Sequence, residues 1–212
     1  MMNLIAAERQ ELAGMLGGLS PDQWRGPSLC VGWTVAHVVA HLTMPFRISE
    51  QQFVAALQRA GGHFNTVSDE IASRDSQVPQ AELVAALREN VDNPWSPPGG
   101  GLPGALSHDI IHGLDVAWPI GIKYPIPGAA ITSALDLITS PKSHSLFGFP
   151  LDDIELSATD LNWSTGDGAL LAGRSRDLLL LLAGRQVPPE LFDGSGAQRL
   201  PAALTVPEHK RP

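Results

Sequence analysis

The sequence is poor in cysteine, in basic residues and in long apolar runs, and each shortage excludes a class of protein. Its 212 residues contain a single cysteine, Cys30, which excludes an intramolecular disulfide framework and any cysteine-ligated zinc finger. Lys and Arg together number 14 against 22 Asp and Glu, so a non-specific nucleic-acid binder, which needs a basic surface, is not expected. The longest apolar run, residues 178–183, is too short to span a bilayer.

These features predict a cytoplasmic protein that neither spans a membrane nor carries a secretory leader. Glu8 and Glu11 stand where a signal peptide would have its apolar segment, and a lone cysteine suits a reducing compartment. A chain of this length fits one domain, or one domain with a small appendage. It buries enough surface to fold without a metal staple, so we expect any bound metal to serve function.

Apolar residues recur at helical spacing through the first 140 residues, and Gly and Pro punctuate them. Ser20 followed by Pro21 is typical of a helix start, and Pro45 is expected to end the helix before it. A pattern of several substantial helices with short to medium loops is typical of a helical bundle. The predicted helices cover residues 3–19, 33–44, 80–91, 102–118 and 127–140, with another near 53–60.

The pattern changes after Pro150. Apolar residues alternate over 154–163, and Gly166-Asp167-Gly168 is a hairpin signal before a second apolar segment at 169–173. A strand pair is predicted there, followed by a short helix over 176–185. We therefore divide the chain into a helical bundle, residues 1–150, and a C-terminal α/β segment, residues 151–212. The second piece is too small to be independent and should pack on the bundle.

Four of the seven histidines form two pairs with the same spacing: His37 with His41, and His108 with His112. Residues four apart on a helix lie on one face, about 6 Å apart along the axis. A single histidine on an apolar face is more often a core residue, but two pairs on separate helices favour a metal site in the bundle. Imidazole suits zinc, nickel, copper or iron, and three ligands with one open position are typical of a catalytic site.

Residues 28–42, SLCVGWTVAHVVAHL, resemble the signature C-x-G-W-T-V-x-D-V-x-A-H-L of the mycothiol-dependent maleylpyruvate isomerase family, within the DinB-like superfamily. The pattern His108-x-x-x-His112-x-x-Asp115, followed by Gly121, is similar to a later helix of that family. Two C-terminal stretches, ATDLNW at 158–163 and LLLLLAGR at 178–185, resemble its last segment. The resemblance covers nearly the whole chain in the right order.

The resemblance implies a mainly α protein, a DinB-like four-helix bundle with a small C-terminal α/β appendage. It also implies one divalent metal, zinc before nickel, manganese or iron, held by His41, His108 and His112. The family often has Glu at the position of His108 and Asp at that of His37. We expect His37 to support a ligand by hydrogen bonding, because a catalytic metal needs an open position; a fourth ligand or a plain substitution are the alternatives.

The implied activity is attack by a thiol on an electrophile. The metal would hold mycothiol or a similar small thiol as the thiolate, giving an S-transferase or a maleylpyruvate isomerase, with no nucleophile supplied by the protein. Two alternatives remain open: a non-catalytic DinB-like metal-binding or stress-associated protein, and a metal-dependent hydrolase using bound water. The expected partners are the small thiol and its electrophile. DinB-like proteins are frequently dimers, and the composition permits a homodimer.

Two further residues are candidates from their positions. Asp115 follows His112 by three residues on the same helix face, where its carboxylate can orient a ligand histidine; the alternative is a surface carboxylate. Arg185 ends the last apolar helix and could contact an anionic thiol or substrate. The alternative for Arg185 is a contact with the last carbonyls of that helix.

Overall fold

The computed structural model describes residues 1–141, 143 and 152–200. The chain divides into two units, Met1–Tyr124 and a second that begins at Pro125. The boundary predicted near Pro150 lies outside the described residues. No helix in the described ranges combines the length and apolar character needed to cross a membrane.

The first unit is helical. It contains α1 Met2–Gly17, α2 Pro21–Arg25, α3 Val35–Arg47, α4 Glu50–Arg59, α5 Phe64–Asp75, α6 Gln80–Arg88 and α7 Gly101–Ala117. Helix α2 starts as predicted, because the Ser20 hydroxyl accepts from the Gln23 backbone N–H and the Gln23 side chain accepts from the Ser20 backbone N–H. This reciprocal pair satisfies two amide groups that a helix start leaves unpaired.

Four of these helices form the predicted bundle. Helices α1 and α3 each pack against both α6 and α7, while α5 lies along α3. Helix α1 buries Ile5, Leu12 and Leu16, which lie on one face at helical spacing. Helix α7 is buried almost completely from Gly104 to Ala117, so polar side chains on that stretch must find partners inside the protein.

Helix α3 is longer than predicted, because Pro45 lies inside it rather than at its end. Proline removes one helical hydrogen bond. The side chain of Arg47 reaches back over the last turn and donates to the Ala40 carbonyl at 2.9 Å and to the Thr43 hydroxyl at 3.0 Å. These bonds hold the helix beyond the proline, so the expectation that Pro45 ends α3 is wrong.

Among its described residues, the second unit has two longer α-helices and a small sheet. Helix α8 covers Gly128–Ile138 and α9 covers Ser175–Leu182. The strands are β1 Ile154–Ala158, β2 Ser164–Thr165, β3 Ala169–Gly173 and β4 Phe192–Asp193, in the spatial order β2-β1-β3-β4. The described chain is thus mainly helical with a small C-terminal sheet, as predicted.

The strand pair itself differs from the prediction. Strands β1 and β3 are parallel, with Ile154 opposite Ala169, and the antiparallel partner of β1 is the short β2. The connection from β2 to β3 crosses directly over the start of β1. A Cβ atom at Gly166 or Gly168, both with positive φ, would lie 2.3 Å from a carbonyl oxygen of Ile154 or Asp153. The glycines that predict a hairpin therefore serve a tight crossing instead.

Candidate metal centre

Three histidines from two neighbouring helices meet inside the bundle. His41 lies on α3, while His108 and His112 lie one turn apart on α7. The ring of His41 has its centroid 5.2 Å from that of His108 and 4.8 Å from that of His112, and the two α7 rings are 4.8 Å apart. One nitrogen from each ring lies within 4.8 Å of the other two. The helix packing therefore brings the three predicted ligands to one point.

Two carboxylates of α7 set the orientation of its histidines. The Nδ1 atom of His112 lies 2.9 Å from Oδ2 of Asp115, and Nδ1 of His108 lies 3.2 Å from Oδ1 of Asp109. A ring that donates its Nδ1–H to a carboxylate keeps a lone pair on Nε2. This arrangement aims basic nitrogens at a common centre, as in histidines that ligate metals.

The spacing of the nitrogens fits a small ion. Two nitrogens that bind one zinc ion tetrahedrally at about 2.0–2.1 Å lie about 3.3 Å apart. The Nε2 atoms of His41 and His108 are 3.2 Å apart. The same separation suits a hydrogen bond between the two rings when no ion is bound. Neutral imidazole donors fit zinc, nickel or iron better than magnesium or calcium, which prefer oxygen.

Aromatic side chains enclose the three histidines. The ring of Trp33 lies 5.3 Å from that of His41, and the ring of Trp95 lies 5.4 Å from that of His108. Trp33 is itself fixed, because its indole N–H donates to Asp69 at 2.8 Å. His41 is buried, whereas the side chain of His108 is 15% exposed. The centre is therefore shielded from water and meets solvent beside His108.

Cys30 lies behind His112, away from the surface. Its thiol is buried and lies 3.1 Å from the same Asp115 oxygen that pairs with His112. Among the described residues, Cys30, His112 and Asp115 form a second group whose atoms are close enough to hold an ion. Separations of 2.9 and 3.1 Å to one carboxylate oxygen are those of hydrogen bonds. Asp115 therefore orients the His112 ring, and Cys30 donates to the same carboxylate oxygen.

His37 is not in either group. Its Nδ1 atom lies 2.7 Å from the Thr34 hydroxyl and 3.4 Å from the Thr34 backbone nitrogen, so the ring caps the start of α3. Burial lowers the pKa of His37 below its ordinary value, and the nearby Asp69 carboxylate opposes this effect. The role predicted for His37 in supporting a ligand stays a prediction.

Arg185 belongs to the second unit. Its guanidinium donates to the carbonyl of Ala183, next to the end of α9, at 2.8 Å. This contact is the one that a basic residue at a helix end commonly makes. Binding of a thiol or substrate by Arg185 stays a prediction.

Sequence reasoning identified Asp115 but missed Asp109. Both side chains are buried, and each contacts a histidine of the centre. The spacing from His112 to Asp115 places both on one face, whereas Asp109 directly follows His108, a spacing that does not face the two side chains toward one another on a helix. Only the rotamers of the folded protein bring them together.

A cluster of three histidines, two of them buried, on two helices of a four-helix bundle defines a class: helical-bundle proteins with an interior suited to a metal. Within that class, residues 5–93 match the family model described as "Mycothiol maleylpyruvate isomerase N-terminal domain". This match agrees with the resemblance carried by residues 28–42. The match includes His41 and ends before α7.

Two curated proteins are similar to part of this chain. Two uncharacterized proteins of Mycobacterium tuberculosis, one from each of two strains, are 26% identical to this chain over 145 residues. The match takes in 57% of this chain and 56% of each relative. The chain thus spans little more than half the length of the curated relatives it matches.

Two solved structures share the fold. A histidine-to-alanine mutant of the mycothiol-dependent maleylpyruvate isomerase is similar with a TM-score of 0.64 at 14% identity, covering 95% of this chain and 94% of that one. A second structure of the mycothiol-dependent maleylpyruvate isomerase is similar with a TM-score of 0.62 at 15% identity, covering the same shares of both chains. The described chain therefore shares the fold of these two structures, mainly helical with a small C-terminal sheet.

Proposed function

We propose that this protein is a metal-dependent enzyme that uses a small thiol of the mycothiol type. The observation that carries the proposal is the convergence of three histidine rings, two of them buried, in a chain whose residues 5–93 match the mycothiol maleylpyruvate isomerase N-terminal domain. The reaction is either transfer of the thiol to an electrophile or isomerisation of a substrate like maleylpyruvate. The helical part of the chain, up to about residue 150, carries the centre, and the reducing cytoplasm is the compartment that such a thiol requires.

In this proposal His41, His108 and His112 hold one divalent ion, zinc before nickel, manganese or iron. When bound, the ion supplies Lewis acidity that keeps a thiol deprotonated at neutral pH. Zinc ranks first because nitrogen ligands and a closed, buried surrounding are typical of its sites. The three ligands leave a coordination position for the incoming sulfur.

The residues around the histidines prepare the centre. Asp115 and Asp109 accept the Nδ1 protons of His112 and His108, which fixes the orientation of each ring. Trp33 and Trp95 exclude water from the rings, which strengthens electrostatic interactions at the centre. Substrates enter beside His108, the most exposed of the three.

The isomerisation needs no net oxidation or reduction. The thiolate forms a bond to one carbon of the double bond, the electron pair moves to the neighbouring carbonyl, and the former double bond becomes free to rotate. Expulsion of the thiolate then restores the double bond in the opposite geometry. S-transfer by addition stops at this stage and takes one proton, whereas S-transfer to a halide such as monochlorobimane forms the carbon–sulfur bond as the carbon–chlorine bond breaks and chloride leaves. We assign Arg185 the binding of an anionic group on the thiol or substrate, and this part of the proposal is independent of the centre.

The test combines metal analysis with thiol binding on the full chain. We expect about one metal ion per chain, visible absorption bands on substitution with Co²⁺, and a change in those bands when mycothiol is added. Conjugation of mycothiol to monochlorobimane and isomerisation of maleylpyruvate then separate the two reactions. A cobalt spectrum that ignores mycothiol, without conjugation, would favour a non-catalytic metal protein. Turnover of an ester without thiol would favour a hydrolase.

A further inference from the structure

Arg9 is a charged residue in the interior of the bundle. It lies on α1, and its side chain is fully buried. Burying a guanidinium costs several kcal/mol unless its charge and its donors are satisfied. The contacts of Arg9 should therefore show which part of the protein needs it.

The first contact of Arg9 leads to the candidate metal centre. Its Nε atom donates to Oδ2 of Asp109 at 2.9 Å, and both side chains are almost completely buried. The other oxygen of Asp109 lies 3.2 Å from Nδ1 of His108. Arg9 thus stands two hydrogen bonds away from His108, and it holds the carboxylate whose other oxygen faces the ring.

A second set of contacts links Arg9 to His108 through the loop that precedes α7. Nη1 of Arg9 donates to the carbonyl of Asn90 at 3.0 Å and to that of Asn93 at 2.7 Å. The Asn93 side chain accepts from the backbone N–H of Trp95 at 2.9 Å. The indole of Trp95 packs edge-on against His108. One guanidinium therefore fixes both the carboxylate and the loop that confine this imidazole.

The guanidinium of Arg9 also lies over an aromatic ring. Its Cζ atom is 5.0 Å from the ring centroid of Phe46 on α3. This distance is within the range of a cation–π contact. Nη2 has no hydrogen-bond partner in the described part of the chain, so the planar group is held by Nε, Nη1 and the ring.

We propose that Arg9 is a positioning residue for the metal centre, which sets the orientation of the His108 ring through Asp109 and through Trp95. The assignment rests on the proposed function, because it gives the centre as the reason for the buried charge. A lysine cannot replace Arg9, since a single ammonium group cannot reproduce a planar fork that serves a carboxylate and two carbonyls at once.

A comparable ion pair elsewhere in the bundle provides a control. Arg47 on α3 donates to Asp75 of α5 at 2.8 Å, and both side chains are largely buried. In the described part of the chain, neither residue hydrogen-bonds to a histidine of the centre. Arg47→Lys should therefore disturb stability without acting on His108.

The experiment compares Arg9→Lys with Arg47→Lys in the full chain. Nitrogen-15 NMR of the metal-free protein reports which ring nitrogen of His108 carries the proton, and Co²⁺ titration reports the affinity of the centre. We expect both variants to melt at lower temperature. Only Arg9→Lys should shift the His108 nitrogen signals, change the cobalt bands and weaken cobalt binding by about tenfold.

A second variant keeps the test decisive if Arg9→Lys does not fold. Asn93→Ala removes the bond to Trp95 and leaves the Arg9–Asp109 pair in place, so it should shift the His108 signals by a smaller amount. Unchanged His108 signals in the folded Arg9→Lys protein, or in Asn93→Ala where that variant decides alone, would overturn the proposal. If wild-type protein binds no Co²⁺, the proposed function fails, while the NMR comparison still decides the role of Arg9.

Discussion

The two histidines of α7 are supported by carboxylates with different partners. Asp109 is paired with the buried cation Arg9, and it meets its histidine and its arginine with two different oxygens. Asp115, beside the next histidine along the helix, has the neutral thiol of Cys30 as a partner and meets ring and thiol with one oxygen. One side of the centre is thus held by an ion pair with a buried arginine. On the other side, which we call the neutral side because a thiol takes the place of the arginine, a ring and a thiol share one carboxylate oxygen.

This difference predicts which substitutions should disturb the centre most. Removing one member of a buried ion pair leaves an uncompensated charge, which costs more than the loss of a neutral hydrogen bond. We therefore expect substitutions on the Arg9 side to affect both stability and the metal centre. Substitutions on the Cys30 side should act on the centre more mildly.

The largest effect should come from removing the histidine that links the two groups. His112 belongs to the three-histidine group and also pairs with Asp115. Structural zinc sites with four ligands bind with about 10–16 kcal/mol, so loss of one ligand corresponds to about 3–4 kcal/mol. We expect His112→Ala to weaken Co²⁺ binding by about three orders of magnitude in a titration. His63→Ala, at an exposed position before α5, is the control; equal affinities for the two variants would exclude His112 as a ligand.

The convergence of the histidines follows closely from the sequence, but the roles of individual members do not. The spacing of His108 and His112, together with two packed helices, predicts that they meet His41. The same spacing predicts a place for His37 on that face, yet His37 is the third residue of α3 and caps Thr34. The role of His37 depends on the residue at which α3 begins. The β-branched residues near that start suit a strand as well as a helix, so the sequence does not define the first helical residue sharply.

The fold was predictable where apolar spacing is strong. The four bundle helices were anticipated, while α5 was not. Helix α5 buries Val67 and Ile71 at helical spacing, but its buried face also includes Ser68 and Asp75. Asp75 is acceptable there only because Arg47 and Arg74 pair with it. A polar face that is buried through a distant ion pair gives no hydrophobic periodicity to detect.

The second largest effect should be a pH dependence of the free energy of unfolding, caused by Glu8 beside Arg9. Burial raises the pKa of Glu8, next to Arg9 on α1, from its ordinary value of 4.5 to about 7, while the hydrogen bond from Tyr124 opposes the rise. The unfolded chain releases this proton near pH 4.5 and the folded chain keeps it to about pH 7. The free energy of unfolding should therefore fall as pH rises through this window, by up to about 3 kcal/mol.

Glu8→Gln removes the titrating group and keeps an acceptor for Tyr124. We expect the variant to be more stable than the wild type at pH 8 and to have a flatter profile between pH 5 and pH 8, measured by urea unfolding of the metal-free protein. Glu70→Gln, at an exposed position of α5, is the control and should follow the wild type. A wild-type profile that is flat over this range would contradict the expectation.

The third effect compares the two carboxylates directly. An amide has one oxygen, so Asp109→Asn must turn an N–H₂ group toward either Arg9 or His108, both of which are donors. Asp115→Asn can keep both contacts with its single oxygen. We expect cobalt affinity to fall about 100-fold for Asp109→Asn and about 10-fold for Asp115→Asn. The reverse order in a titration would show that the neutral side is the more sensitive one.

The smallest effect should come from the thiol. Cys30 is a weak donor to an oxygen that also accepts from His112, so its loss leaves Asp115 able to orient the ring. We expect Cys30→Ala to weaken Co²⁺ binding by about two- to fivefold and Cys30→Ser, which keeps a donor, to stay within a factor of about two. Complete loss of binding in Cys30→Ala, together with a thiolate-to-cobalt charge-transfer band in the wild type without added thiol, would instead place the ion in the Cys30, His112 and Asp115 group. The neutral side of the centre would then be its ligand set, because a thiolate bound to the ion is no longer a hydrogen-bond donor to Asp115.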